Sequence, residues 1–172
     1  NGGTLYRPQL IERIEDTGGN NTNAFTPVAN GKLPISEDTL SAIQTAMRMV
    51  INNPRGTAYR TFANMTTPVF GKTGTAQNPG ENPHAWFIGY TDAGRKDQPD
   101  IAIAVLLENQ GDGSEFAAPI FRRLVEVYFT GGPQRGYPWE SQIGVLDEEY
   151  FLDEEAQPTE EAADTIVVTP SP

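Results

Sequence analysis

The chain has 172 residues, no cysteine, one histidine and a formal net charge of −11. That length suits one ordinary domain with a real core; the lack of cysteine excludes disulfides and thiolate metal sites without deciding the compartment; and no apolar run approaches the roughly 18–20 residues of a membrane span. Residues 140–172 hold ten of the 23 acidic residues and none of the 12 basic ones, so the rest of the chain is almost neutral, and with no basic patch nucleic acid is not an expected partner.

The chain starts Asn1-Gly2-Gly3-Thr4, which has no Met and reads as the middle of a loop. The expectation is therefore a true N-terminus upstream, with any export signal or anchor. Residues 4–14 predict an irregular strand, placed at an edge because Pro8 cannot donate a ladder hydrogen bond. The Gly/Asn-rich residues 16–23 predict a turn, and residues 25–30 the returning strand. Residues 36–52 are the clearest helix: Ser36 is a good N-cap, Glu37 and Asp38 suit the positive end of the helix dipole, and Leu40, Ile43, Met47 and Val50 recur every three to four residues. Asn53-Pro54 stops it, and Gly56-Thr57-Ala58 follows as a small-residue loop.

Three strands come next, over residues 69–76, 84–91 and 101–108. Their short Gly-, Pro- and Asn-rich connections suit antiparallel neighbours and are too short for helical crossovers. Residues 101–107 are apolar at almost every position, which predicts cover on both faces. Trp86 and Phe87 alternate across the second strand, so at least one belongs to the core. A second helix is expected over residues 115–129, capped by Ser114, with Phe116, Ile120, Leu124 and Val127 on one face and Gly131-Gly132-Pro133 ending it. After Trp139 the pattern decays into an acidic, disordered tail with short sticky segments at residues 145–146 and 150–152.

Gly71-Lys72-Thr73-Gly74-Thr75-Ala76-Gln77 is the stretch that carries chemistry. A strand bordering a cleft offers side chains alternately and backbone N–H groups along its edge. Lys72 places a cation there, and Thr73 and Thr75 share a face, where their hydroxyls can bind a carboxylate beside the ammonium. Gly74 lets a substrate backbone approach, and an unpaired N–H at Thr75 can serve as half of an oxyanion hole. A phosphate-binding loop is excluded, because Thr66 stands where that motif needs its first glycine. His84 has no cysteine or carboxylate cluster around it and is expected to be a strand-end polar residue; no metal and no cofactor are expected.

The stretch resembles the Lys-Thr-Gly element of the penicillin-interacting serine enzymes. The order of segments around it resembles the C-terminal part of a penicillin-binding protein transpeptidase domain, of the monofunctional cell-division or elongation type. The matching segments are Asn1 to Pro8, the helix with Met47-Arg48-Met49-Val50 and then Gly56-Thr57-Ala58, the motif strand, His84 to Tyr90, residues 101–108, and Phe116 to Phe121. The other two motifs are absent. The residues three before Lys32, Lys72 and Lys96 are Ala29, Val69 and Ala93, so there is no Ser-x-x-Lys; none of the five serines begins Ser-x-Asn.

The resemblance implies an α+β fold: the C-terminal part of the serine transpeptidase/β-lactamase-like fold, with three antiparallel strands, flanking helices and a disordered acidic tail. Residues 1–132 would be the domain portion and 133–172 the tail. It implies a parent enzyme whose serine attacks the D-Ala–D-Ala carbonyl of a peptidoglycan stem peptide, and whose acyl-enzyme is resolved by an amine of a neighbouring stem; β-lactams acylate the same serine. By carry-over, Lys72 and Thr75 are the catalytic candidates, Lys72, Thr73, Gly74 and Thr75 the substrate-binding ones, and Trp86 a candidate cleft residue. The implied partners are stem peptides, β-lactams and the remainder of the same domain, at the outer face of the bacterial cytoplasmic membrane. This chain alone is expected to be inactive and to expose apolar faces and sheet edge. Two alternatives stand at this stage: a serine β-lactamase or D,D-carboxypeptidase fragment, and a non-catalytic module that binds peptide carboxylates.

Overall fold

The computed structural model describes residues 2–142, with side chains described as far as Glu140. The chain divides into two units, the first ending at Gln134 and the second beginning at Arg135. In the second unit, residues 138–142 make one 3-10 turn, Pro138–Gln142, and the rings of Tyr137 and Trp139 stack 5.4 Å apart. The expected tail disorder and the sticky segments at 145–146 and 150–152 lie outside the described residues.

The first unit opens with an interrupted β-ribbon. The strand expected over residues 4–14 is two short ones, β1 (Thr4–Tyr6) and β2 (Arg13–Glu15). They pair with β4 (Ala29–Lys32) and β3 (Asn21–Ala24) respectively, so the return strand runs over different residues from the expected 25–30. Pro8 and Pro27 lie in the gap on the two arms, and neither can donate to a ladder. The arms stay aligned across it because the Arg7 N–H donates to Val28 O and the Phe25 N–H to Glu12 O, both at 2.9 Å.

Helix α1 (Glu37–Asn52) begins where its cap predicts: the Ser36 hydroxyl accepts the Thr39 N–H at 3.1 Å. A short helix, α2 (Tyr59–Phe62), follows it. Strands β5 (Val69–Ala76), β6 (His84–Thr91) and β7 (Ala102–Leu107) form one antiparallel sheet in that order. The register pairs Lys72 with Ile88, Gly74 with Trp86 and Phe87 with Val105, so odd-numbered residues of all three strands share one face and even-numbered residues the other.

The odd face holds the core. Phe62 of α2 stacks on Phe87 with ring centroids 5.4 Å apart, and Phe121 packs against Phe87 at 4.8 Å. Val69, Ala85, Val105, Val125 and Phe129 complete the layer. Gly89 makes room for it: a Cβ there would lie 2.9 Å from the Phe121 ring. On the even face α1 crosses β5, with the Arg48 guanidinium 5.6 Å from the Phe70 ring centroid and Phe70 stacked on Tyr90 at 4.9 Å.

Two expectations change here. β7 is covered on one face only: Ile103, Val105 and Leu107 pack inward, while Ala102, Ala104 and Leu106 are exposed. Helix α1 lies over β5, and Ile88 and Leu106 are left exposed as a bare apolar strip. The last helix also starts and faces differently. It begins as a π-helical turn, Gly113–Ala117, capped by Asp112 rather than Ser114, and continues as α3 (Ala118–Thr130). Its buried face carries Phe121, Val125 and Phe129, whereas Phe116, Leu124 and Val127 are exposed. The helix is apolar on two sides, and the wider π turn shifts its phase so that Phe121 meets Phe62 and Phe87. The predicted stop holds: Gly131 adopts φ 74° and its N–H caps Val127 O.

The face of α3 that periodicity did not reveal also carries ions. Arg122 and Glu126 are buried and paired, and Arg122 donates to Thr61 O at 2.6 Å and Ala63 O at 3.0 Å. Arg123 joins Glu126, whose carboxylate also accepts the Gln134 N–H. Arg122 thereby ties α3 to the C-terminal end of α2.

Candidate active site

β5 is an edge strand of its sheet among the described residues. The Asp92 N–H donates to Pro68 O at 3.1 Å, just beyond the first register pair, Val69 with Thr91. Antiparallel ladders alternate, so the N–H and C=O groups of residues 70, 72, 74 and 76 face β6, and those of residues 69, 71, 73 and 75 face the open edge. The edge therefore presents the Thr73 and Thr75 amides, two residues apart.

The side chains divide by the same alternation. Thr73 and Thr75 share the odd face, as their spacing predicts, and Lys72 and Gly74 lie on the even face. The ammonium is thus not on the face of the hydroxyls. Lys72 is exposed and folds over the edge, with Nζ donating to Thr73 O at 2.6 Å. It is a cation carried on the rim of the strand, with α1 residues Met49 and Val50 and the loop residue Thr57 bordering the hollow beside it. Cation and hydroxyls meet only at the edge.

Two residues that the sequence did not mark as site residues touch the motif. The Thr57 and Thr73 hydroxyls hydrogen-bond each other at 2.9 Å. Asp112 accepts from the Thr75 hydroxyl at 3.4 Å, a weak contact longer than an ordinary O–H···O bond. Asp112 also accepts the Ser114 N–H at 2.7 Å and the Ser114 hydroxyl, and these bonds hold its carboxyl below the usual carboxylate range. Asp112-Gly113-Ser114 carries a local cap signal, but its meeting with Thr75, 37 residues away, has no sequence signature.

The turn that bears Asp112 sits directly on the motif strand. A Cβ on Gly113 would lie 2.2 Å from Trp86 O and 2.4 Å from Gly74 O, so only glycine fits there. Gly71 is similarly constrained, since a Cβ would meet the Phe87 ring at 2.4 Å. Trp86 is half-buried on the even face opposite Gly74, whose own Cβ would stand 3.1 Å from that of Trp86; Phe87 is the core member of the pair. His84 begins β6, and its Nδ1 accepts the Asn109 N–H at 3.1 Å, the strand-end role expected of it. Among the described residues no group of three or more His, Cys, Asp or Glu residues could hold a metal ion, and no helix is long and apolar enough to cross a membrane.

Residues 1–126 match the family model of the penicillin binding protein transpeptidase domain. The chain is 35% identical, over 150 aligned positions, to the peptidoglycan D,D-transpeptidase MrdA of Haemophilus influenzae; the match covers 76% of this chain and 22% of that protein. It is also 35% identical, over 136 positions, to the stage V sporulation protein D of Bacillus subtilis, covering 73% of this chain and 20% of that one. The chain thus spans about a fifth of the length of these relatives. Among solved structures, penicillin-binding protein A of Mycobacterium tuberculosis as an imipenem acyl-enzyme matches with TM-score 0.58 and 29% identity, over 73% of this chain and 27% of that one. PBP2 of Pseudomonas aeruginosa matches with TM-score 0.59 and 26% identity, over 91% of this chain and 30% of that one. The α+β architecture and the antiparallel β5-β6-β7 sheet agree with this likeness, and the chain belongs to the penicillin-binding protein transpeptidase domain family.

Proposed function

We propose that this chain forms the Lys-Thr-Gly wall of a serine D,D-transpeptidase that cross-links peptidoglycan stem peptides, acting as the C-terminal part of a longer protein. The observation that carries the reading is the open edge of β5, which offers the Lys72 ammonium, the Thr73 and Thr75 amides and the Thr57–Thr73 hydroxyl pair within one short stretch. An acyl donor laid along that edge extends the sheet by one strand, as peptides do on exposed edges. Its scissile carbonyl oxygen points at the Thr75 N–H, which lowers the energy of the tetrahedral oxyanion. Its terminal carboxylate takes hydrogen bonds from the threonine hydroxyls and the field of Lys72.

The nucleophile comes from the rest of the domain, since no Ser-x-x-Lys or Ser-x-Asn exists in this chain. That remainder covers the bare strip at Ile88 and Leu106 and the outer edge of β7, leaving the edge of β5 open. β-Lactams acylate the same serine, and an anchor in the remainder holds the enzyme at the outer face of the cytoplasmic membrane. The likeness to the peptidoglycan D,D-transpeptidase MrdA favours transpeptidation over the β-lactamase, carboxypeptidase and binding-module alternatives. The test is Lys72→Ala in the full-length protein, followed with fluorescent penicillin. Removing the cation should slow acylation at least tenfold, a factor equal to about 1.4 kcal/mol of transition-state stabilisation; unchanged labelling would remove Lys72 from the site.

A further inference from the structure

The two threonines of the motif are not equivalent. Thr73 bonds the Thr57 hydroxyl, and a pair of hydroxyls that shares one hydrogen keeps the other to offer. Thr75 has one hydroxyl hydrogen, and the Asp112 carboxylate lies 3.4 Å from its oxygen as an acceptor. An ionised carboxylate only accepts, so Thr75 must be the donor in that bond. The hydroxyl therefore already has an anionic acceptor that belongs to the protein.

Asp112 cannot easily leave. Its other oxygen holds the Ser114 N–H and so caps the π-helical turn. Gly113 seats that turn against the backbones of Gly74 and Trp86 with no space to spare. A ligand carboxylate reaching Thr75 would have to take the hydrogen from Asp112 and then remain beside a fixed negative charge.

We propose that Asp112 is a specificity-determining residue of the motif strand: it holds the Thr75 hydroxyl as its own donor and so weakens binding of anionic acyl donors relative to neutral ones. This rests on the Lys-Thr-Gly reading above. The contact at 3.4 Å is long, so a ligand can draw the Thr75 hydrogen away while Asp112 stays in place, which makes Asp112 a tuning element rather than a block. Asp112→Asn reverses the sense of the contact. The Asn oxygen keeps the Ser114 cap, its amide donates to Thr75, the Thr75 hydrogen turns to the ligand, and the charge is gone.

The probes are benzylpenicillin and its methyl ester, which differ in one carboxylate charge. Acylation rates of both would be measured on the full-length protein in its wild-type, Asp112→Asn, Asp112→Ser and Lys72→Ala forms. Two charges about 5–6 Å apart at an exposed, screened site correspond to about a two- to fourfold effect, so Asp112→Asn should raise the anion-to-ester rate ratio by about that factor. Asp112→Ser, which also keeps a cap, should raise it in the same direction. If both variants change the two rates in parallel, leaving the ratio fixed, Asp112 is only a structural cap and the proposal fails. If Lys72→Ala leaves wild-type acylation unchanged, the Lys-Thr-Gly reading itself fails; if it slows acylation while the ratio ignores Asp112, only the role of Asp112 falls.

Discussion

Gly113 is where backbone packing meets the site, and Gly113→Ala tests whether the turn is seated as described. The added methyl would lie 2.2 Å from Trp86 O and 2.4 Å from Gly74 O. Both atoms are backbone oxygens of hydrogen-bonded strands, so neither can rotate aside. The turn must retreat by about 1 Å to restore ordinary contact, and overpacking of this kind costs about 1–3 kcal/mol, with rigid neighbours at the upper end. For a domain of about 150–250 residues, 3 kcal/mol lowers Tm by about 6–12 °C. The assay is thermal unfolding of the full-length protein, with Gly132→Ala as the control because a Cβ there meets nothing within 4 Å. The same retreat carries Asp112 away from Thr75, so the anion-to-ester acylation ratio should rise as it does in Asp112→Asn. A Gly113→Ala protein that melts within about 2 °C of the Gly132→Ala control, a change equal to less than about 1 kcal/mol, would refute the packing argument.

Arg122→Met should cost about 3–5 kcal/mol, because it leaves the buried Glu126 short of a partner and frees the carbonyls of Thr61 and Ala63. The double variant Arg122→Met/Glu126→Leu should recover part of that in chemical denaturation; a double variant no better than the single one would count against the ion pair as the cause. Acid dependence gives a separate check on Asp112. Its carboxyl is held below the ordinary value of 3.8 by the Ser114 hydroxyl and N–H, so its contribution is present above that pH and is lost as pH falls through the lower, folded value. Asp112→Asn should therefore flatten the stability curve below about pH 4, and melts at successive pH values that keep a constant gap from wild type would contradict it.

Sequence alone located the elements whose cause is local. The capped helix begins after Ser36 because one hydroxyl satisfies a free N–H, and the three strands lie where apolar runs alternate with turn residues; β5 and β6 have the expected bounds. The motif was legible because Lys72, Thr73, Gly74 and Thr75 are contiguous, and so was the shared face of the two threonines, which follows from the strand period of two. Tertiary structure decided what depends on partners distant in the chain. Periodicity marked the face of Phe116, Leu124 and Val127 in the last helix, and the inner face was decided instead by the fit of Phe121 to Phe62 and Phe87 across a π turn. One-sided cover of β7 followed from where α1 crosses the sheet, not from the composition of residues 101–107. The same holds in the site. Thr57 and Asp112 reach the motif from 16 and 37 residues away, through a loop after α1 and a turn before α3 that only packing brings to one strand edge. A hydrogen bond between side chains that far apart leaves no period or spacing in the sequence, because its geometry is set by the core beneath it.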